Sequence, residues 1–315
     1  MQNSIPIRGL HHVTATVSDA QQDLDFYAGM LGLRLVKKTV NFDNHRVYHF
    51  YYGDTHGAPG TLMTTFPYKG WGVRSGVQGA GQITVTAFSV PEGSLGFWEA
   101  RLERLGVTNH QAGRRFDEQW IAFSDPSGLV IELVETGRDN RPPWLVEGIS
   151  RDTAIRGLHG ITMAIREPAS TTTLLTEVLG WSVVNEAEGW TRLGIDGDTS
   201  GCIIDVLHEP DAPQAINGIG TVHHVAMVVD GGEAQLAARE ELLRLGLQVT
   251  EVHDRQYFKS IYFREPGGVL YEIATRGPGF LIDEELQNLG GELKLPPWKE
   301  PHRKEIEKHL PDITS

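Results

Sequence analysis

A fourfold internal repeat constrains the fold of this sequence more than any other feature. The dipeptide Leu-Gly closes four segments whose apolar residues recur at helical spacing; its glycines are Gly32, Gly106, Gly180 and Gly246. A strand-like run precedes each dipeptide, and further runs rich in β-branched and aromatic residues follow it. Because glycine readily adopts the left-handed conformation that ends a helix, each unit is interpreted as a strand, a helix and then three strands. The sequence therefore predicts an α+β fold of four βαβββ modules.

Composition and charge exclude several classes of protein. The chain has 315 residues and a formal net charge of -13, so we expect no nucleic-acid partner. The sequence contains neither a signal-peptide pattern nor an apolar run long enough for a membrane helix, which predicts a soluble cytoplasmic protein. Cys202 is the only cysteine, so a disulfide within the chain and a thiolate cluster are excluded. Any metal must be held by imidazole and carboxylate groups. A homo-oligomer is compatible with the sequence.

Changes of composition divide the chain into four segments. Residues 5–137 hold modules one and two, and residues 157–277 hold modules three and four. The polar, Pro-rich stretch between them predicts a connector over residues 138–156. The remaining residues, 278–315, are predicted to form a surface extension that ends in a short helix.

Adjacent histidines begin the first strand in two of the four modules. Aligning the modules on their Leu-Gly dipeptides places four residues at the equivalent first-strand position: His12, Gln82, Gly160 and His224. Only the first and fourth modules carry a potential ligand there. Because adjacent strand residues face opposite sides of a sheet, we expect His12 and His224 to face one cavity. The preceding residues, His11 and His223, are predicted to be their neighbours on the strand ladder.

Carboxylates occupy the equivalent position on the last strand of two modules. The hairpin sequences DPSGLVIELVETG and EPGGVLYEIATRG place Glu132 and Glu272 at matching points. Met63 or Thr64 stands near this position in module one, and Asp205 in module three. A single carboxylate on a strand is as often a partly exposed surface residue as a metal ligand. The choice of ligands therefore depends on which histidines and carboxylates two modules can offer together.

The combination of ligands predicts which modules pair. Modules one and four together offer His12, His224 and Glu272, the set of two imidazoles and one carboxylate that leaves positions open on non-haem Fe(II). Modules three and four would lack one imidazole, because module three has Gly160 in place of the histidine. We therefore predict that the first and last modules form one open barrel. The middle two offer Gln82 and Glu132 without a histidine, which predicts a vestigial pocket.

Seven short stretches, in this order, carry a family resemblance: LHHVT, GTLMTTFP, GCIIDVLHEPD, HHVAM, RQYF, PGGVLYE and LKLPPW. With them the chain resembles the vicinal oxygen chelate superfamily, and within it the four-module ring-cleaving dioxygenases that act on hydroquinones. The resemblance implies paired modules that form open barrels around a divalent metal. It also implies the same three metal ligands as the repeat alignment.

Further site residues follow partly from strand geometry and partly from this resemblance. Thr14 lies two residues after His12 and so on the same face of the strand. Tyr262 is predicted on the strand that pairs with the one carrying Glu272, and Arg255 on the loop leading into it. The resemblance implies that the substrate is surrounded by the residues His11, Thr14, His223, Arg255 and Tyr262.

The sequence thus favours an Fe(II)-dependent dioxygenase, with Mn(II) as the alternative metal, that opens a hydroquinone or catechol ring with O2. A glyoxalase-like isomerase or lyase is the second hypothesis. That chemistry commonly uses a second Glu as base, and no acidic residue stands in the module-one stretch GTLMTTF. A metal-free small-molecule-binding protein is the third hypothesis, and it has no need for His12, His224 and Glu272 together.

Overall fold

The structure is a computed structural model that describes residues 5–195, 197 and 199–314. Ser315, the last residue of the predicted extension, lies outside the described residues.

The four modules share one order of elements. Module one contains β1 (Leu10–Val17), α1 (Ala20–Leu24, continued by a π-helical turn, Asp25–Met30), β2 (Arg34–Val40), β3 (Tyr48–Gly53) and β4 (Leu62–Pro67). Module two contains β5 (Gln82–Val90), α2 (Leu95–Arg104), β6 (Gln111–Arg115), β7 (Glu118–Ser124) and β8 (Val130–Glu135).

The second half of the chain repeats this order. Module three contains β9 (Gly157–Ile165), α3 (Pro168–Thr173, continued by a π-helical turn, Leu174–Val178), β10 (Ser182–Ala187), β11 (Trp190–Gly194) and β12 (Ile203–His208). Module four contains β13 (Thr221–Val229), α4 (Gly232–Arg244), β14 (His253–Asp254), β15 (Lys259–Arg264) and β16 (Leu270–Thr275). The βαβββ repeat predicted from the sequence is confirmed.

Left-handed glycines end the helical segment of every module. The backbone φ angles of Gly32, Gly106, Gly180 and Gly246 are 70°, 83°, 74° and 82°. A side chain would be strained at these angles, because Cβ then crowds the backbone. The repeated Leu-Gly dipeptide therefore marks the helix ends, as the sequence predicts.

Each sheet is made by two modules, the first paired with the last and the second with the third. Within the described residues, one eight-stranded sheet has the order β14-β15-β16-β13-β1-β4-β3-β2, and the other has the order β10-β11-β12-β9-β5-β8-β7-β6. The first sheet joins modules one and four, and the second joins modules two and three. In each, the first strands of the two modules pair antiparallel at the centre, between β1 and β13 or between β5 and β9. The pairing of the first module with the last is confirmed.

The C-terminal extension is anchored on module one. Its helix α5 (Arg303–Glu307) follows three short 3-10 turns: Phe280–Ile282, Leu286–Asn288 and Glu300–His302. Ile306 and Leu295 form a small core cluster with Val40. Lys37 is fully buried and pairs with Asp283 and Glu284 of the extension. These contacts bury apolar and charged side chains against β2, while most described residues of the extension remain at the surface, and a short helix lies near its end.

No helix among the described residues is long and apolar enough to cross a membrane.

A buried carboxyl in module one predicts a pH-dependent stability. Asp23 accepts hydrogen bonds from Tyr52 (2.7 Å) and Thr65 (2.6 Å), but burial raises the pKa of Asp23 to about 7. Its folded pKa is above the ordinary value, so the stability that it contributes is complete below about pH 4 and is lost as the pH rises through 7. We expect the free energy of unfolding to fall by about 2 kcal/mol between pH 5 and pH 8 through this group.

Asp23→Asn tests this prediction in urea titrations at pH 5 and pH 8. The variant should lose less stability than the wild type over this range, because the amide stays neutral. Some pH dependence should remain, since burial also raises the pKa of Asp125 to about 6. An unchanged pH dependence in Asp23→Asn would contradict the assignment.

Candidate metal centre

Two β-bulges set the histidine pairs at the centre of the first sheet. In the β1–β13 ladder, Leu10 pairs with Met227 and His12 with Ala226, so His11 is an extra residue in β1. Farther along, Thr14 pairs with His224 and Ala15 with Val222, so His223 is an extra residue in β13. A bulge re-aims the side chains of its strand. As a result, neighbouring histidines do not simply face opposite sides, and each pair of rings is in contact.

Three buried side chains from modules one and four meet at one point. His12 Nε2 lies 3.3 Å from His224 Nε2, and Glu272 Oε2 lies 3.4 Å from His12 Nε2 and 2.9 Å from His224 Nε2. Among the described residues this is the one group of three potential ligands whose donor atoms lie this close together. The structure thus brings together all three residues that the repeat alignment selects.

The spacing of these donor atoms fits a divalent cation. Imidazole and carboxylate ligands lie about 2.1 Å from such an ion, so two adjacent ligands of an octahedral set are about 3.0 Å apart. The three observed separations, 2.9 to 3.4 Å, are close to this value. Glu272 Oε2 is buried and has no hydrogen bond of acceptable geometry. Burial alone would raise the pKa of Glu272. His12 and His224 nevertheless hold the pKa of Glu272 well below its usual range, so the carboxylate is charged.

The bulged histidines hold the ligand histidines in a suitable tautomer. His11 Nδ1 is 2.9 Å from His12 Nδ1, and His223 Nδ1 is 2.8 Å from His224 Nδ1. A ligand imidazole that presents Nε2 to a metal carries its proton on Nδ1, which can donate to the neighbouring ring. Burial lowers the pKa of both His11 and His223 to about 3, so these rings are neutral and can accept that hydrogen bond. On the other side, Ser260 Oγ donates to Glu272 Oε1.

A cavity of about 450 Å³ opens beside these three residues. His223, Arg255 and Tyr262 line it, as do the aromatic residues Tyr51, Phe66 and Phe258. Two other aromatic residues do not line it: Phe50 is buried in the core and Trp71 is exposed. The cavity therefore has the three candidate metal ligands at one end and a wall that combines aromatic and polar side chains.

Arg255 and Tyr262 form one hydrogen-bonded unit at the cavity. Tyr262 pairs in register with Glu272, as predicted, and Arg255 Nε donates to Tyr262 Oη at 3.1 Å. The hydroxyl proton of Tyr262 consequently remains free to be donated into the cavity. Burial raises the pKa of Tyr262, which keeps the phenol protonated. The guanidinium of Arg255 also reaches across to module one, where it pairs with Asp43 at 3.1 Å.

Two of the predicted substrate-contacting residues lie behind the cavity wall. His11 is buried and contacts His12 and Phe258, and it is not among the cavity-lining residues. Thr14 is fully buried, and its Oγ1 is 2.8 Å from Thr64 Oγ1. Each of them therefore acts on the cavity only through another side chain.

Sequence reasoning missed His49 and Ser260. His49 lines the cavity from β3, and Ser260 holds Glu272 from β15. Both lie two residues before a tyrosine at the equivalent place in its module: Tyr51 pairs with Thr64, and Tyr262 pairs with Glu272. This shared spacing was the available signal, but it becomes visible only once the strand register is known.

The second sheet carries an ion-pair network at the corresponding place. Glu132 pairs in register with Ala87, and Glu272 with Ala226, so Val85 in β5 is the equivalent of His224. The alignment of Gln82 with the histidines is therefore wrong, because the length from the first strand to Leu-Gly differs among modules. The alignment of Gly160 is correct. Gly160 stands two residues before Thr162, the partner of Asp205, just as His12 stands two residues before Thr14, the partner of Thr64. Arg115 bonds both Glu132 (2.6 Å) and Asp205 (2.9 Å), so cationic side chains neutralise these carboxylates.

Comparison with known proteins agrees with the repeat and the sheet pairing. The sequence profile of the Glyoxalase/Bleomycin resistance protein/Dioxygenase superfamily matches residues 9–133 and again residues 157–273. The chain belongs to this superfamily. Members that share its fold at low identity include glyoxalase I from Zea mays, with a TM-score of 0.62 at 13% identity over 85% of this chain and 92% of that one. That likeness concerns the fold alone.

Relatives in the superfamily match along almost the whole chain. A Bacillus subtilis protein that carries the provisional name ring-cleaving dioxygenase MhqO is 43% identical over 302 residues, 96% of this chain and 95% of its own. The chlorohydroquinone/hydroquinone 1,2-dioxygenase of Sphingobium indicum is 34% identical over 320 residues, 99% of this chain and 98% of its own. A Bacillus subtilis crystal structure, provisionally described as a dioxygenase, superposes with a TM-score of 0.93 at 42% identity over 98% of both chains.

Proposed function

We propose that this superfamily member is an Fe(II)-dependent, extradiol-type dioxygenase that opens hydroquinone or catechol rings with O2, and that His12, His224 and Glu272 hold the metal. The observation that carries the proposal is the convergence of two imidazoles and one carboxylate, with no fourth His, Cys, Asp or Glu in this group among the residues that the structure describes. At the matched position in module one stands Thr64, which pairs in register with Thr14 as Glu272 does with Ala226. The names of the full-length relatives support the same reaction class.

The three-residue set is the reason to prefer a dioxygenase over an isomerase. A ferrous ion held by three protein groups supplies free positions at which an aromatic oxygen and O2 can react. A glyoxalase-like mechanism would use a carboxylate as base at the place where Thr64 stands. A neutral hydroxyl cannot take that role at neutral pH. Mn(II) has the same preference for oxygen and nitrogen ligands and is the alternative metal.

The chain's own side chains would bind the ring and move protons. His223 is neutral and lines the cavity; because its Nδ1 accepts the hydrogen bond of His224, its Nε2 carries the proton and can donate a hydrogen bond to an oxygen that binds beside His224. Tyr262 can donate its free hydroxyl proton, and Arg255 compensates negative charge that develops near it. His11 fixes the ring of His12 through the contact between their Nδ1 atoms. Thr14 acts through Thr64 on the cavity residue His49.

Oxygen uptake tests the proposed reaction. Protein loaded with Fe(II) under anaerobic conditions should consume one O2 per ring and produce an acyclic unsaturated acid when given a panel of hydroquinones and catechols. His223→Ala and Tyr262→Phe should each slow turnover by about 100-fold, the usual size of one hydrogen-bond donor to developing negative charge, and Tyr262→Phe should leave metal content unchanged. Tyr48→Phe is the matched control, because this hydroxyl donates to Pro311 outside the cavity. Anaerobic turnover of a thiol adduct of methylglyoxal, without O2 uptake on any dihydroxybenzene, would favour the isomerase instead.

A further inference from the structure

His49 is a partly buried, cavity-lining histidine to which the reaction proposed above assigns no contact with the substrate. Its Nε2 lies 2.9 Å from Thr64 Oγ1, which continues the chain to Thr14. The imidazole packs between two aromatic rings, with centroid distances of 4.1 Å to Tyr51 and 4.3 Å to Phe66. This packing leaves the ring little freedom to turn, so its second nitrogen, Nδ1, keeps one direction.

The approximate symmetry of the first sheet shows what His49 replaces. Tyr51 faces Thr64 across β3 and β4, as Tyr262 faces Glu272 across β15 and β16. His49 in module one therefore corresponds to Ser260 in module four, each two residues before its tyrosine. In module four this position supports a carboxylate, because Ser260 donates to Glu272. In module one the carboxylate is absent, and an imidazole borders the side of the cavity that it would have filled.

The second nitrogen of His49 is available to a ligand. Within the described part of the chain, Nδ1 has no hydrogen-bond partner, and the atom is not sealed from the cavity. Burial lowers the pKa of His49 well below its ordinary value, so the ring is neutral, with one donor and one acceptor nitrogen. A ligand that covers this atom has to bond it, because a polar atom that is buried without a partner costs about 1–3 kcal/mol.

Other polar groups of the cavity are already engaged. Asn41 donates to the hydroxyl of Tyr68 at 3.2 Å, and Asn217 accepts a hydrogen bond from Gln82 at 3.1 Å. Arg255 is divided between Tyr262 and Asp43. His49 is thus a polar group of the cavity wall that is held between two rings and keeps one nitrogen without a hydrogen-bond partner among the described residues.

We propose that His49 determines specificity for 1,4-dihydroxylated rings, by a hydrogen bond from its Nδ1 position to the ring hydroxyl opposite the one that binds beside His224. This inference rests on the proposed function. In a catechol the two oxygens are adjacent and can both lie beside His224. In a hydroquinone the second oxygen lies across the ring, and it needs a polar partner of its own on the cavity wall.

Two isosteric substitutions separate this role from a structural one. The amide of His49→Gln can take the place of Nε2 and keep the contact with Thr64, whereas the amide of His49→Asn can take the place of Nδ1 and keep the contact with the ligand. The readout is anaerobic binding of hydroquinone and phenol to Fe(II)-loaded protein, measured by calorimetry. Phenol keeps one hydroxyl and lacks the second, so the ratio of the two dissociation constants isolates the distal contact.

We expect the wild type to prefer hydroquinone over phenol by about 10-fold, the size of one hydrogen bond. His49→Gln should reduce the preference to about twofold, which reflects only the two equivalent hydroxyls of hydroquinone. His49→Asn should keep most of the preference. Neither substitution should change the metal content. A purely structural role would weaken both ligands equally, and an unchanged ratio in His49→Gln overturns the proposal. If the wild type consumes O2 with dihydroxybenzenes but His49→Gln leaves the ratio unchanged, only the role of His49 is refuted, and the proposed function stands. Wild type that neither binds a phenol nor consumes O2 refutes the proposed function.

Discussion

Glu272→Gln is expected to abolish stoichiometric metal binding while leaving the fold intact. The substitution keeps the size of the side chain and removes the negative charge from a fully buried site where two imidazoles meet it. Loss of groups that merely support a ligand weakens metal binding by about 10- to 100-fold, so loss of the ligand charge itself should weaken it by more than about 100-fold. Metal per chain, measured by mass spectrometry after gel filtration, should fall from about one to near zero.

The matched control for this experiment lies in the second sheet. Glu132 stands at the same register position as Glu272, but Arg115 bonds both of its oxygens at 3.1 Å and 2.6 Å. Glu132→Gln should therefore retain the metal. Fe(II) should raise the melting temperature of the wild type and of Glu132→Gln, because a ligand that binds only the folded state stabilises it, and should leave that of Glu272→Gln unchanged. Tight, stoichiometric metal in Glu272→Gln would exclude Glu272 as a ligand.

The repeat and its pairing could be predicted because they leave local signals. A left-handed glycine after each helix, at Gly32 or Gly246 for example, is dictated by backbone sterics and is visible in one dimension. The pairing of the first module with the last followed from chemistry, because His12 and His224 together with one carboxylate complete a metal site that neighbouring modules cannot complete. The same reasoning selected the three residues that the fold brings together.

Other features depend on register and on contacts across the sheet, which the sequence does not encode locally. The bulges at His11 and His223 insert one residue into each central strand, so the simple alternation of faces did not describe these pairs. Alignment on Leu-Gly placed Gln82 where the register places Val85. His49 stands in a run of β-forming residues, and nothing in that run distinguishes a cavity residue from a surface one.

Charged residues in the middle modules show the same limitation. Arg115 lies in β6 of module two and Arg192 in β11 of module three, far apart in the sequence. Only the pairing of β5 with β9 brings them to the same carboxylate, Asp205. The sequence predicted a vestigial pocket in this sheet, and the structure shows a buried ion-pair network in that place.

Arg192→Leu is expected to destabilise the protein by about 3–5 kcal/mol, the usual effect of removing one partner from a buried ion pair. The Arg192 side chain is 2% exposed and donates to both oxygens of Asp205, at 2.8 Å and 2.9 Å, while its third contact is Glu118. Burial alone would lower the pKa of Arg192, but these two carboxylates hold the pKa of Arg192 above its ordinary value. Removal of the guanidinium leaves Glu118 with only His159 and Asp205 with only Arg115, in a place where water cannot replace it.

An exposed ion pair of similar length provides the control that separates burial from charge. Arg8 Nε lies 2.9 Å from Asp230, but both side chains are more than half exposed, so Arg8→Leu should cost no more than about 1 kcal/mol. Urea unfolding of both variants measures the difference, and Fe(II) content should stay at the wild-type level in each, because neither residue touches the first sheet's ligand set. Equal destabilisation by the two substitutions would mean that the guanidinium of Arg192 is not what holds the carboxylates of the second sheet in place. A larger loss in Arg192→Leu alone, with metal content unchanged, would show that the second sheet keeps its acidic residues by supplying cations from its own side chains.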